Sequence, residues 1–291
     1  AASISGTTLS FGTEHDTGYN TDAYGICVAG GNGGFIAGRQ NGSVCKLSAY
    51  TVSGNTITAG PENDGNLGTS TKNGREAMDI TYSSDDDKYV LMSIRSNNDV
   101  YGHVVYRTGT TTSIKSGTNM TNANDGRGKI VYGPTGTIFH IFSDSGDLHG
   151  NIWTVSGDSV SQGSGQNLDS ANPQGMRLTY NPDDGKAYAL IRDGSEGHYT
   201  SYMPLTNNSG TISGGSFVEL LGQESAELAI TYTEKGKVVA MFKDGSAVGK
   251  GRVIQVAFTD STLSNGYIGF SSAAINDTAT GTIGVVGNTN S

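Results

Sequence analysis

Three of the chain's five histidines stand in similar polar and aromatic surroundings: Asn97-Asn-Asp-Val-Tyr-Gly-His103, Asp144-Ser-Gly-Asp-Leu-His149 and Asp193-Gly-Ser-Glu-Gly-His-Tyr199. Rings beside amides and carboxylates suit a saccharide, which needs a flat apolar surface to stack on and planar groups to meet its hydroxyls. Tyr101, His103, His149, His198 and Tyr199 are therefore the candidate ligand-binding residues. The plainer reading is that Asn, Asp and Gly here are turn formers.

Other chemistries find less support. Asp85-Asp-Asp87 and Asp144-Ser-Gly-Asp147 cluster oxygens as hard cations prefer, but neither has a calcium-loop spacing, and no His/Cys pair has zinc-ligand spacing. No metal and no cofactor are expected. Gly30-Gly-Asn-Gly-Gly34 opens a strand rather than a helix, so it is not a phosphate loop. Cleavage of a glycosidic bond needs a general acid and an opposing base or nucleophile roughly 5–10 Å apart. Asp79, Glu76 and Glu227 are the carboxylates nearest to that role, and cations beside Asp79 would keep it ionised. The expectation is a protein without catalysis.

These residues must be held by strands. Gly is 44 of 291 residues, Pro only five, and apolar residues only 34%. That is the composition of many short strands joined by tight turns. The chain also repeats. Tyr24-Gly-Ile-Cys-Val28, Met78-Asp-Ile-Thr-Tyr82, Gly128-Lys-Ile-Val-Tyr132, Met176-Arg-Leu-Thr-Tyr180 and Leu228-Ala-Ile-Thr-Tyr232 share an aliphatic column, Ile26, Ile80, Ile130, Leu178 and Ile230. Each is followed by a turn and a second apolar run, then by a third strand and a fourth, which reads Ser-Gly-x-x-(Ile/Val)-x-x-Gly at Ser53 to Gly60 and Ser156 to Gly163, with a variant at Ser209 to Gly215. Four strands (A to D) in about 50 residues are the mark of a propeller blade.

Five A-B-C sets stand beside six D-like strands, because Ile4 to Gly12 reads as a D strand with no blade before it. The expected architecture is an all-β, five-bladed propeller over residues 1–258, closed by this N-terminal strand, with residues 259–291 as a C-terminal β extension. Thr259 to Gly266 is the alternative fifth D strand. The polar column of strand A places Asp79, Lys129 and Arg177 along a central channel, with Asp79 ion-paired. Trp153 is expected in the core. Cys27 and Cys45 fall two strands apart, about 9–10 Å, beyond the roughly 7 Å a disulfide spans, and are expected as free buried thiols.

Formal charge is −9, from 18 basic and 27 acidic residues, which disfavours nucleic acid and anionic bilayers as partners. No apolar run is long enough to span a membrane.

The cadence Thr179-Tyr-Asn-Pro-Asp-Asp-Gly-Lys-Ala-Tyr-Ala-Leu-Ile-Arg-Asp-Gly194, its echo from Ala229 to Gly245, the element Ile4 to Gly12 and the tail Tyr267 to Gly287 resemble repeats of tail-fibre and virion-surface proteins of marine bacteriophages. The resemblance implies a structural or adhesive module on the virion surface, outside the cell. Its partners would be a host-surface glycan or protein and other virion proteins, with a homotrimer one possible state. The alternatives are a decoration protein without ligand and a five-bladed glycoside hydrolase acting on surface polysaccharide.

Overall fold

The computed structural model describes residues 2–5, 8–11, 23–41, 44–64, 67, 76–124, 126–195, 197–222, 225–233, 237–246 and 248–255. These are strands and turns, with no helix among them. The fold is an all-β, five-bladed β-propeller, each blade a small antiparallel sheet. By internal contacts the chain forms two compact units, Ala1–Asp169 with Asn208–Ile212, and Ser170–Asn207 with Ser213–Ser291.

A hairpin of β1 (Ala2–Ser5) and β2 (Thr8–Phe11) comes first. Blade one is β3 (Ala23–Gly31), β4 (Gly34–Asn41), β5 (Val44–Ser53) and β6 (Thr56–Asn63). Blade two is β7 (Met78–Ser83), β8 (Lys88–Ile94) and β9 (Asp99–Thr108), with β10 (Thr111–Ile114) and β11 (Thr118–Asn122) both paired to β9. Blade three repeats this as β12 (Gly128–Tyr132), β13 (Thr137–Asp144), β14 (Asp147–Ser156), β15 (Ser159–Gln162) and β16 (Gln166–Asp169). Blade four is β17 (Pro173–Asn181), β18 (Lys186–Asp193), β19 (Tyr199–Asn208), β20 (Thr211–Gly214) and β21 (Val218–Leu221). Blade five has three described strands, β22 (Ser225–Tyr232), β23 (Lys237–Asp244) and β24 (Gly249–Gln255).

The D strand is thus longer than its sequence signature and broken in the middle in blades two to four. Gly163 marks one break: a Cβ there would overlap the carbonyl of Gly210, which crosses it. Thr118–Asn122 and Gln166–Asp169, which follow these breaks, are strands paired to strand C.

Two further expectations are corrected. Ile4 to Gly12 is not a lone D strand: β1 and β2 pair Ser5 with Thr8 and Ile4 with Leu9. Ser156–Ser159 and Val155–Val160 in blade three pair in the same register. The segment thus has the register of a C–D hairpin and carries its own C-like partner. Among the described residues its strands pair only with each other, and residues 259–291 lie outside the described residues. In blade one, Gly25 takes φ 61 and the β3–β4 register shifts between Tyr24 and Cys27, so Cys27 turns inward and Ile26 is 72% exposed. A bulge of one residue moves a side chain to the opposite face.

Apolar side chains fill the faces between neighbouring blades. Met92, Ile130, Ile138, Phe142, Trp153 and Val160 pack between blades two and three, and Tyr188, Leu190, Val238, Phe242 and Ile254 between blades four and five. Trp153 is fully buried, and both cysteines are free and buried. A side-chain latch recurs at both seams. The Tyr132 N–H donates to Thr81 Oγ1 (2.9 Å) and its hydroxyl to Asp85 (2.6 Å). The Tyr232 N–H donates to Thr179 Oγ1 (3.0 Å) and its hydroxyl to Asp183 (2.7 Å). The Thr-Tyr-x-x-Asp spacing puts the acceptor on strand A and the carboxylate in the turn that follows it.

Candidate functional site

The strand registers separate the three histidines that the loops seemed to make equivalent. Asp193 pairs with Tyr199 and Asp144 with Asp147, so His198 matches Gly146 in the turn. His149 lies on strand C opposite Phe142, and His103 lies deeper, opposite Leu91. His103 is 0% exposed, and its ring nitrogens lie 3.3 Å from Ser93 Oγ and 3.3 Å from the Lys115 carbonyl. It is a core residue rather than a loop residue, because strand C begins at Asp99 and carries it inward. His198 has φ 67, and its carbonyl accepts the Ser225 N–H and hydroxyl, both at 3.0 Å. Tyr199 opens β19 beside it.

Tyr101 and His149 do form a site-like pair. They occupy the same register position, Tyr101 opposite Ser93 and His149 opposite Phe142. Across strand D each faces an exposed asparagine, Asn119 opposite Tyr101 and Asn167 opposite His149. Two residues upstream, on the same strand face, stand Asp99 and Asp147. Amides orient both carboxylates, Asn97 Nδ2 donating to Asp99 (2.7 Å) and Asn167 Nδ2 to Asp147 (2.8 Å). Both rings are half-buried and supported from below: the Arg95 guanidinium lies 3.5 Å from the Tyr101 ring centre, and Phe142 stacks on His149 at 5.5 Å. Asn124 extends the rim by donating to Asp144 at the next turn.

Ring, amide and carboxylate are thus built twice, one blade apart. Asn119, Asn167, Asp99, Asp147 and Arg95 are not among the expected site residues. The two asparagines follow from Tyr101 and His149 only once the C–D register is known.

The polar column of strand A is a separate group. Lys129, 7% exposed, places Nζ 3.9 Å from an Asp79 oxygen, and the other Asp79 oxygen accepts the Ile130 N–H at 3.0 Å. This joins blades two and three. In the other unit, Arg177 Nη1 donates to the Met176 carbonyl at 2.6 Å. Glu76 is buried and Glu227 exposed at φ 51. Among the described residues no three His, Cys, Asp or Glu side chains gather as a metal would need.

No protein-family model and no curated protein sequence matches the chain. Solved structures do match in fold. A variant of AofleA from Arthrobotrys oligospora superposes with a TM-score of 0.54 at 9% identity, over 80% of this chain and 68% of that one. The Aleuria aurantia lectin in complex with α-methyl-L-fucoside gives 0.49 at 11% identity, over 81% and 76%. The GH43 protein BlXynB from Bacillus licheniformis gives 0.46 at 13% identity over 82% of this chain, which spans about half (54%) of its length. At such identity the likeness concerns the fold alone.

Proposed function

We propose that the protein is a non-catalytic saccharide-binding module of a phage virion surface, tail fibre or capsid, that engages host-surface glycans through the rim of blades two and three. One observation carries the reading: the ring, amide and carboxylate set of Tyr101, Asn119 and Asp99 recurs as His149, Asn167 and Asp147 at the same register on the adjacent blade. A half-buried ring offers the stacking face, an exposed amide both donates and accepts, and a carboxylate held by a neighbouring amide accepts from vicinal hydroxyls. Rigid strands hold the six groups, so little order is lost on binding. The repeat cadence shared with virion-surface proteins supports the location.

A glycan array and a host-cell binding assay test it, with the wild-type chain beside a Tyr101→Ala, His149→Ala double variant. Specific binding weakened at least tenfold in the variant is the expected result. Absence of binding by the wild-type chain would move the assignment to a decoration protein, and release of reducing ends from polysaccharide would move it to a hydrolase.

A further inference from the structure

In the second unit a groove of about 330 Å³ opens between blades four and five, within the size range of ligand sites. Its walls are Tyr202 from β19, Val218, Glu219 and Leu220 from β21, and Arg252 and Ile254 from β24. Two of these residues depart from the repeat, and both departures fall in this groove.

The first is Tyr202. Its register mates are the fully buried Leu47 in blade one, Gly251 in blade five, and Gly102 and Gly150 in blades two and three. There the glycine leaves room for an aliphatic side chain of the next blade's D strand: a Cβ on Gly102 would lie 3.3 Å from Val160, and one on Gly150 3.1 Å from Ile212. A tyrosine at that position fills this space with a ring, which is half-buried. The second is Arg252. It stands opposite Ala240, where the other blades carry the buried Ser48, His103, Asn151 and Met203. A partly buried guanidinium in a column of core residues breaks the local pattern, and such breaks concentrate at functional positions. Glu219 is itself the register mate of the rim asparagines, facing Ser201 as Asn119 faces Tyr101.

We infer that this groove is a saccharide site for a neutral pyranose, an inference that rests on the saccharide-binding reading but places a site on different blades. Val218 (44% exposed), Leu220 and Ile254 give an apolar floor for the C–H face of a sugar, with the Tyr202 ring at its side. Glu219 accepts from hydroxyls and Arg252 donates to ring or hydroxyl oxygens in a fixed fork. The opposite charges of these two residues cancel, and a sugar carboxylate would bring an anion toward Glu219, so neutral sugars are favoured over acidic ones.

The test uses the full chain and a panel of neutral methyl pyranosides and their uronic acid counterparts, read by saturation-transfer NMR and titration calorimetry. The variants are Arg252→Lys, Glu219→Gln and Tyr202→Gly, each checked for folding by circular dichroism, with the Tyr101→Ala, His149→Ala protein alongside. Expected are binding of a neutral pyranoside at least tenfold tighter than of its uronate, a tenfold or greater loss in the groove variants, and retained binding in the rim variant. Binding lost only in the rim variant would overturn the groove and leave the saccharide reading standing. Binding to no member of the panel or of the array by the wild-type chain would overturn both.

Discussion

At the seam of blades two and three, Tyr132 is latched to Thr81 and Asp85; at the seam of blades four and five, Tyr232 is latched to Thr179 and Asp183 in the same way. Outside the latch the two seams part. In the first, Gly102 lies under Val160, Gln162 donates to the Met120 carbonyl, and the Tyr106 hydroxyl reaches Asp158 at 2.6 Å, so the outer half is tightly packed. In the second, Tyr202 and Arg252 replace the glycine and the core residue, and a groove opens. One latch therefore serves both a seam built for packing and one with room for a guest. These two seams share what joins the blades at strand A and differ in what lies farther out.

The largest test of this contrast is pH, because the closely packed seam hides the imidazole of His140, while His103 is buried on the other face of blade two. Burial pushes His140 down to about 4 against a weaker opposing bond from Asn151, and pushes His103 down to about 4 against the Lys115 carbonyl. A base with a lowered folded pKa leaves the unfolded chain binding more protons between about pH 4 and 6.5. Stability is then complete above about 6.5 and is lost as pH falls toward 4, by roughly 3 kcal/mol per histidine. Urea denaturation at pH 7.5 and 4.5 should show this loss, and His140→Gln should flatten it. An unchanged midpoint between the two pH values would contradict the buried, neutral assignment.

Next in size is exchange of the seam residues. Gly102→Tyr should cost about 2–3 kcal/mol in chemical denaturation through overpacking against Trp153 and Val160. Tyr202→Gly should cost less, about 1–2 kcal/mol, from a strand glycine's entropy and the loss of a half-buried ring beside Tyr188. Equal costs would mean that the two seams are packed alike. The smallest effect belongs to what they share: Thr81→Val and Thr179→Val should each cost about 1–2 kcal/mol by leaving a tyrosine N–H without its acceptor, and by similar amounts.

Much of the fold was legible. The aliphatic column and the Val or Tyr two residues after it located strand A in every blade, and the Asp79–Lys129 pair followed from the polar column. The bulge at Gly25 was not legible, because an alternating pattern cannot reveal a one-residue shift that puts Ile26 outside. His103 misled for a related reason. Distance from a turn in sequence does not say how far a strand has already run, and a residue five positions past the turn is in the core. The rim asparagines and the pair Tyr202 and Arg252 depend on which residues face one another across strands, information that lies in the registers alone.

The Tyr132 and Tyr232 amides point away from their own sheets, and each is held by a threonine hydroxyl of the preceding blade. Their solvent exchange is therefore a clock for blade separation and not for strand fraying. In one hydrogen-exchange experiment, these two protons would report separately how often a tightly packed and a grooved junction come apart.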